Sequence, residues 1–328
     1  MKKLLILAGF CAFALTGSAW AADADMSCAG KNFVFFPGGS EGDSFASIVY
    51  AGAKTAADQT GCHVDYVWSD WNPQKMVQQF SEAIARKPTG ISIMGHPGEE
   101  ALAPLIDKAE AAGIIVTTSN VDLPNVEAKY KANGFGYVGA QLLTAGKSLG
   151  TAAVNVCGLK SGDTAFVWGL LGQAGRGQRT QGVIDALKAA GVNVEYQEIS
   201  DAINGDATQG IPVFASFIAS HPDIKAVITD HGALTATIPA YMKAAGKKPG
   251  EICGAGFDLS APIVAGIQDG SISVVLDQQP FLQGYIPIMQ LYLTSKFGFA
   301  GMNIDTGAAL ITKDNIAAVA DLAKAAIR

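Results

Sequence analysis

One segment of the sequence matches a pattern that serine hydrolases use. Gly38-Gly39-Ser40-Glu41-Gly42 reads G-x-S-x-G, in which the serine lies on a sharp turn between a strand and a helix. Its position argues against catalysis, because the motif would follow the first strand, with no earlier strand and loop to supply an oxyanion donor. Pro37 would also break that strand, and no later Asp and His stand in a recognisable context. The sequence favours a glycine-rich loop that contacts a ligand, and a serine hydrolase using Ser40 is an alternative.

Residue spacing gives no support to cofactor chemistry. The four histidines, His63, His96, His221 and His231, have no spacing that would place two metal ligands on one helix, and no C-x-x-C pair occurs. The sequence lacks G-x-x-x-x-G-K-[ST], and the glycines of residues 172–177 do not make G-x-G-x-x-G. We therefore expect no metal, nucleotide or other cofactor.

Polar and aromatic residues recur where the predicted strands end, in both halves of the chain. These candidate ligand-binding residues are Asp43, Phe45, Trp71, His96, Asn120, Arg176, Arg179, Asn204, Asp230, His231, Asp258 and Gln278. Each one alone could be a helix cap or a solvated loop residue, as Asp43 before Ser44 illustrates. Because ligands bind outside the carboxyl ends of parallel strands, their joint recurrence predicts one shared ligand site.

The chemistry of this set suits a polyhydroxylated ligand, whose hydroxyl groups both donate and accept hydrogen bonds. Asp258 only accepts, Arg179 only donates, and the amides of Asn120 and Gln278 do both. Aromatic residues such as Phe45 can cover the apolar face of a sugar ring. An amino acid is a rival ligand, because Arg179 and Asp258 could bind its carboxylate and its ammonium group.

The elements that would position these residues alternate regularly. Short β-branched and aromatic runs predict strands at 33–36, 63–68, 90–94 and 114–119, and the intervening stretches predict helices at 45–60, 73–86 and 99–112. After a strand at 135–138 and a helix rich in Gly and Ala, a second series begins. Its strands are predicted at 163–169, 192–199, 226–229, 252–257 and 271–276, with helices at 176–190, 208–220, 234–245 and 261–270. Strands that are apolar nearly throughout indicate burial on both faces, so we predict an α/β fold of two doubly wound, Rossmann-like domains.

The amino terminus has the three parts of a secretory signal peptide. Lys2 and Lys3 precede an apolar run at 4–15, which is too short to span a bilayer, and Ala19-Trp20-Ala21 is a small-x-small cleavage site. We therefore predict a signal peptide at 1–21 and export to the periplasm. Removal of this segment changes the net charge from −6 to −8, since it carries two lysines and no acidic residue. An acidic chain without a basic cluster argues against nucleic acid or an anionic membrane as a partner.

Four cysteines come after the predicted signal peptide. Cys28 and Cys62 lie just before the first and second strands, which would be parallel neighbours, so both lie at one edge of the sheet. We predict a disulfide between them, which the oxidising periplasm permits. For Cys157 and Cys253 only parity suggests a bridge, and we expect two inert buried thiols.

Several short stretches occur in a specific order along the whole chain after residue 21. They are Asp43-Ser44-Phe45, Trp71-Asn72-Pro73, Arg179-Thr180-Gln181-Gly182, Ser220-His221-Pro222-Asp223, Gly256-Phe257-Asp258, Gln278-Gln279-Pro280, Asp305-Thr306-Gly307 and Ile311-Thr312-Lys313-Asp314-Asn315. Together they resemble the type I periplasmic solute-binding proteins, specifically the ribose- and galactose-binding group of ABC importers.

The resemblance implies two domains joined by three hinge crossings, near Gly136, Gln279 and Ala308. The first domain would comprise residues 22–136 and 279–308, with a helix at 281–297. The second domain would comprise residues 137–278 and 309–328.

The resemblance also implies roles for matching residues. Phe45 matches the aromatic residue that covers one sugar face, and Arg179 matches the arginine that binds sugar oxygens. Asp258 matches the carboxylate that accepts from ring hydroxyls, and Gln278 matches the hinge-side residue that closes the site. Five positions depart from the ribose-binding pattern: His231 replaces an asparagine, Asn120 an aspartate, Val121 an arginine, Ala46 a second stacking aromatic residue, and Asp43 an asparagine. These departures argue against ribose itself but not against a sugar, and Trp71 or His96 could supply the missing cover.

The sequence thus predicts capture of a monosaccharide or sugar alcohol and its delivery to an ABC permease, by a protein that is a monomer and not an enzyme. The sequence also leaves open a chemoreceptor as a further partner. The alternatives are a binder of another small polar metabolite, such as an autoinducer or an amino-acid-like ligand, and the Ser40 hydrolase.

Overall fold

The computed structural model describes residues 26–328, so the predicted signal peptide lies outside the described residues. Twelve strands are found in this part of the chain: β1 (Asn32–Phe35), β2 (His63–Tyr66), β3 (Gly90–Met94), β4 (Ile115–Ser119), β5 (Tyr137–Gly139), β6 (Thr164–Gly169), β7 (Asn193–Glu198), β8 (Ile224–Thr229), β9 (Cys253–Phe257), β10 (Val274–Asp277), β11 (Asn303–Asp305) and β12 (Ala309–Thr312).

The helices fill the spaces between the strands. They are α1 (Ser44–Thr60), α2 (Pro73–Ala85), α3 (Glu99–Ala111), α4 (Pro124–Tyr130), α5 (Leu142–Val156), α6 (Gly177–Ala189), α7 (Asp201–Gly205), α8 (Ile211–Ser220), α9 (Gly232–Ala244), α10 (Ala261–Asp269), α11 (Pro280–Phe297) and α12 (Ala320–Lys324). Short 3-10 turns lie at Lys131–Asn133, Ala207–Gly210 and Ile316–Ala318.

The strands form two six-stranded sheets, in the orders β11-β5-β4-β3-β1-β2 and β12-β10-β9-β8-β6-β7. Neighbouring strands are parallel throughout, except that β12 is antiparallel to β10. Central strands β3 and β6 are buried along their whole length, whereas the edge strands β2 and β7 are partly exposed. Helices cover both faces of each sheet, which confirms the predicted class of two doubly wound α/β domains.

Two elements differ from the prediction for local reasons. The strand predicted at 135–138 begins at Tyr137, because the Phe135 amide still bonds to the Tyr130 oxygen and so belongs to the preceding turn. The helix predicted from residue 208 starts with a 3-10 turn capped by Asp206, and regular α-helix begins only at Ile211, with Pro212 in its first turn. Sequence patterns did not identify α4, α7, α12, β11 or β12.

The chain passes between the sheets three times. Strand β5 still pairs in the first sheet, so the chain leaves that sheet after Gly139. It returns between β10 and α11, where Gln279 has φ 52°, and crosses again between β11 and β12. Between the second and third crossings, helix α11 packs against α1 and against β3 and β4 of the first sheet.

Each domain contains one disulfide. The predicted Cys28–Cys62 bridge is present, with a Cα–Cα distance of 4.8 Å. The expectation of free thiols at Cys157 and Cys253 is wrong, because these two residues are bridged with their Cα atoms 5.7 Å apart. The end of α5 lies over the start of β9, a proximity that sequence separation could not reveal. Over residues 26–328, the helices are all too short or too polar to cross a membrane.

Candidate functional site

The carboxyl ends of the two sheets face each other across a cavity with about 420 Å³ of empty space, which includes some open solvent. Its walls are formed by Asp43, Ser44, Phe45, Trp71, His96, Asn120, Arg176, Arg179, Asn204, His231, Gly232, Ala233, Asp258 and Gln278. Eleven of the twelve predicted residues therefore line one cavity, and Asp230 lies behind His231. The three residues that sequence reasoning missed belong to the first turns of α1 and α9. Their signal was available, because both helices were predicted to begin at this edge.

Helix α1 brings Phe45 to the cavity from the first domain. Asp43 caps the helix, since its Oδ1 accepts hydrogen bonds from the amides of Phe45 and Ala46 at 3.0 and 2.7 Å. The other oxygen of Asp43 accepts from the indole Nε1 of Trp71 at 3.1 Å. Asp43 is thus both a helix cap and a lining residue, and it holds the backbone of Phe45 and the indole of Trp71.

Trp71 lies flat against the loop that follows β1. A Cβ atom on Gly38, which has φ 97°, would lie 2.4 Å from the Trp71 ring, so only glycine leaves room for the indole. The Trp71 ring centroid is 5.9 Å from that of Phe45 and 5.0 Å from that of His96. We call Phe45, Trp71 and His96 the aromatic wall.

His96 is a neutral member of the aromatic wall. Burial, with the nearby charges of Arg176 and Arg179, holds its pKa well below the usual value. Its Nδ1 has no hydrogen-bond partner within the described part of the chain. A neutral imidazole at this position offers a ligand a flat ring face and the unpartnered Nδ1.

The second domain contributes five ionisable side chains, which we call the charged wall: Arg176, Arg179, Asp230, His231 and Asp258. Within it, Asp230 lies 3.9 Å from Arg176 Nε and 2.5 Å from His231 Nδ1. Burial opposes ionisation of Asp230, but His231 and Arg176 outweigh it and hold the pKa of this carboxyl below its usual range. Burial lowers the pKa of Arg176 to about 10, so the guanidinium stays charged at neutral pH.

His231 is an acceptor toward the cavity. Burial lowers its pKa despite the adjacent Asp230, so the ring is neutral at pH 7. A neutral ring that donates from Nδ1 to the Asp230 carboxylate leaves Nε2 with a lone pair. That Nε2 finds no partner among residues 26–328.

Asp258 and Gln278 form the part of the site nearest the second hinge crossing. The Asp258 carboxylate accepts from Gln278 Nε2 at 2.6 Å and from the Gly232 amide at 2.7 Å. Burial raises the pKa of Asp258 to about 6, against the effect of Arg179. The Arg179 guanidinium carbon lies 5.1 Å from the centroid of the Phe257 ring, and its Nε and Nη1 lack partners in the described chain, as does Gln278 Oε1.

The two domains contact each other beside the cavity. Gly175 precedes the charged wall at φ 68°, and a Cβ atom there would lie 2.5 Å from Val121 Cγ1 of the first domain. Arg176, Arg179, Asn120 and Asp258 are each at most 5% exposed. A ligand held here would be surrounded by protein from both sides.

Ser40, the serine of the G-x-S-x-G motif, lies outside the cavity. Ser40 is exposed and does not line the cavity, and its hydroxyl donates to Asp70 Oδ1 at 2.6 Å. Asp70 in turn pairs with Lys75, which holds the pKa of its carboxyl below the usual value. The glycines before Ser40 lie against the Trp71 ring, so this loop supports the aromatic wall. Within the described residues, no three His, Cys, Asp or Glu side chains group as metal ligands.

Comparison with known proteins identifies a matching family model and several relatives. A family model described as a periplasmic binding protein domain matches residues 33–297. The xylose/arabinose-binding protein XylF of Sulfolobus acidocaldarius is 28% identical over 74% of this chain and 61% of its own length. The ribose import binding protein RbsB of Salmonella typhimurium is 24% identical over 85% of this chain and 88% of its own length.

A solved structure shares the fold. It is a carbohydrate transporter from Acidothermus cellulolyticus in complex with myo-inositol, with 24% identity and a TM-score of 0.77, covering 91% of this chain and 99% of that one. The match of the family model includes strands of both sheets and all of the cavity residues. The chain therefore belongs to the periplasmic binding protein family.

Proposed function

We propose that this protein captures a monosaccharide or sugar alcohol in the cavity between its domains and delivers it to an ABC permease. The observation that carries the proposal is the pairing of an aromatic wall with a charged wall in which nitrogen atoms of Arg179 and His231 lack hydrogen-bond partners among the described residues. Sugars have the complementary surface, since their apolar ring faces stack on aromatic rings and their hydroxyls bind charged groups. The names of the relatives, which bind xylose, arabinose or ribose, support the same class.

In this proposal each wall has a distinct role. Phe45 and Trp71 cover the ring, while Arg179 donates to ring or hydroxyl oxygens. Asp258 and His231 Nε2 accept from hydroxyl groups. Asn120 and Asn204 provide neutral polar contacts from opposite sides, and Arg176 and Asp230 hold His231 in its orientation.

Compartment and domain motion belong to the same proposal. We infer that residues 1–21 are cleaved, that the protein is a periplasmic monomer, and that the first domain moves against the second on ligand binding. Since β5 pairs in the first sheet, the first segment of that domain extends to Gly139 and not to the predicted residue 136, and its second segment comprises residues 279–308. A ligand gripped from both sides favours the closed arrangement because it binds that arrangement better. Amino-terminal sequencing of the protein from a periplasmic extract should start at Ala22, and a start at Met1 would contradict export.

A thermal-shift screen followed by calorimetric titration tests the ligand class. The test ligands are pentoses, hexoses, myo-inositol and linear alditols, with amino acids as the rival class. A true ligand should raise Tm by mass action, by an amount that grows with its concentration. The proposal fails if amino acids shift Tm and none of the sugars or polyols does so.

A further inference from the structure

Gln283, a residue that does not line the cavity, joins the site to the hinge. It lies one turn into α11 and is fully buried. Its Oε1 accepts from Asn120 Nδ2 at 3.0 Å, and its Nε2 donates to the Gln278 carbonyl at 3.0 Å and to Thr306 Oγ1 at 3.1 Å. One amide therefore connects a cavity residue to the crossings before α11 and after β11.

The hydrogen-bond partners fix the orientation of both amides in this chain of contacts. The carbonyl of Gln278 can only accept, so the nitrogen of the Gln283 amide must face it. The oxygen of Gln283 then faces Asn120, which must present its own nitrogen in return. The remaining oxygen of the Asn120 amide is left for a ligand, so that Asn120 acts as an acceptor.

Asn120 is also tied to the first crossing. Its backbone has φ 64°, and its carbonyl lies 3.1 Å from the hydroxyl of Tyr137. The same hydroxyl donates to the carbonyl of Ala140 at 2.6 Å. Through Gln283 and Tyr137, the backbone and side chain of Asn120 thus contact all three segments that pass between the domains.

We propose that Gln283 is a positioning residue that presents Asn120 as a hydrogen-bond acceptor and couples its contact with ligand to the hinge. This inference rests on the proposed function. Leaving a buried amide without hydrogen-bond partners costs free energy, so the bonds of the Gln283 amide hold Asn120, Gln278 and Thr306 in one arrangement. Without the Gln283 amide, the Asn120 side chain is free to rotate, and Gln278 and Thr306 lose their shared hydrogen-bond donor.

The matched variants are Gln283→Met and Gln290→Met. Gln290 lies on the same helix and is 1% exposed, but its amide bonds to the Gly134 carbonyl, at the opposite end of the first sheet. We expect both substitutions to lower Tm, and only Gln283→Met to weaken affinity, by about tenfold or more, as loss of a buried hydrogen-bond network does. Titrations use myo-inositol, xylose, arabinose and ribose. Equal affinities of the two variants for the tightest of these would overturn the proposal.

A double-mutant cycle separates positioning from a general structural effect. If Gln283 acts through Asn120, adding Gln283→Met to Asn120→Ala should change affinity by less than about threefold, because the two substitutions remove one shared interaction. Additive losses would contradict this. Asn120→Asp serves if Gln283→Met fails to fold, since a carboxylate still accepts from a ligand but cannot donate to Gln283. We expect Asn120→Asp to bind more weakly, and unchanged affinity would count against the proposal.

The unliganded protein gives a readout that does not depend on the ligand class. The amides of Asn120 and Thr306 donate to Val138 and Gly139, which close the first sheet beside the crossings. Hydrogen exchange at these two amides should be faster in Gln283→Met and unchanged in Gln290→Met. If none of the pentoses, hexoses, myo-inositol and alditols of the thermal-shift screen binds the wild-type protein, the proposed ligand class fails, whereas equal exchange in the two variants would refute the role of Gln283.

Discussion

The two walls of the cavity come from domains with the same topology, yet they differ in kind. The aromatic wall carries no net charge, because its histidine is neutral, and its rings contact one another at centroid distances of 5.0 and 5.9 Å. The charged wall holds two guanidinium groups and two carboxyl groups that are nearly excluded from water. Among the described residues, the first wall has one buried polar side-chain atom without a hydrogen-bond partner, His96 Nδ1, and the second wall has five.

We propose that the two domains contribute differently to ligand affinity. Rings that already contact each other contribute shape and apolar area, so each loss should be modest. Buried charges contribute directed hydrogen bonds that are stronger and less replaceable. If affinity is divided in this way, losses should be largest in the charged wall, smaller in the aromatic wall and smallest outside the cavity.

Loss of Arg179 should have the largest effect. Its Nε and Nη1 have no hydrogen-bond partners among residues 26–328, and two hydrogen bonds from a charged donor are worth about 3 kcal/mol or more together, which corresponds to roughly a hundredfold in affinity. Calorimetric titration of Arg179→Ala measures this loss. The matched control is Arg86→Ala, since Arg86 is half exposed and pairs only loosely with Asp65 at 3.5 Å. Unchanged affinity in folded Arg179→Ala would show that the charged wall does not hold the ligand.

Affinity should depend on pH through Asp258. Burial raises the pKa of this carboxyl to about 6 in the unliganded protein. If hydroxyl groups of the ligand bind the ionised form, affinity is full above pH 6 and is lost as pH falls through 6. One proton predicts about a tenfold loss at pH 5.

The same shift has the opposite sign for stability. Because the folded pKa lies above the ordinary value of 3.8, burial of the ionised carboxyl costs stability at neutral pH, and this cost disappears as pH falls from 6 toward 4. Calorimetric titrations at a series of pH values measure the pH dependence of ligand affinity. Asp258→Asn is the control, and its affinity should vary less with pH. An equally steep profile in Asp258→Asn would assign the dependence to another group.

Removal of a ring from the aromatic wall should cost less than removal of Arg179. We expect Trp71→Ala to weaken affinity about tenfold and Trp71→Phe only a few fold, since stacking contacts are worth about 0.5–1.5 kcal/mol beyond the buried area. Fluorescence or calorimetric titration with the same ligand measures both. A loss for Trp71→Ala that exceeds that for Arg179→Ala would reverse the proposed division between the walls.

Ser40→Ala should have the smallest effect. Ser40 lies outside the cavity, and its hydrogen bond to Asp70 is exposed, so we expect affinity within about twofold of wild type. The wild-type protein should release no product from activated esters. Ester hydrolysis that Ser40→Ala abolishes and Arg179→Ala retains would restore the hydrolase hypothesis.

Much of the fold and site could be predicted from local patterns. The alternation of apolar runs with amphipathic stretches placed most strands and helices within a few residues of their observed ends. The cavity residues could be found because a parallel sheet brings the loops at the carboxyl ends of its strands to one edge. Local patterns failed at the short segments of the hinge, since β11 and β12 have three and four residues and depend on partners far away in the chain.

The sequence by itself determined the fold class, the edge at which the site lies and the residue types that face it, because these depend on periodicity and on strand order. Only the tertiary structure decided which side chains pair. It bridged Cys157 to Cys253, turned Asp230 away from the cavity to hold His231, and placed Gln283 between Asn120 and Thr306. The disulfide joins residues that are 96 positions apart, and the Asn120–Gln283 hydrogen bond joins residues that are 163 positions apart. The neutral state of His231 depends on burial, which lowers its pKa. No local pattern in the sequence encodes these contacts.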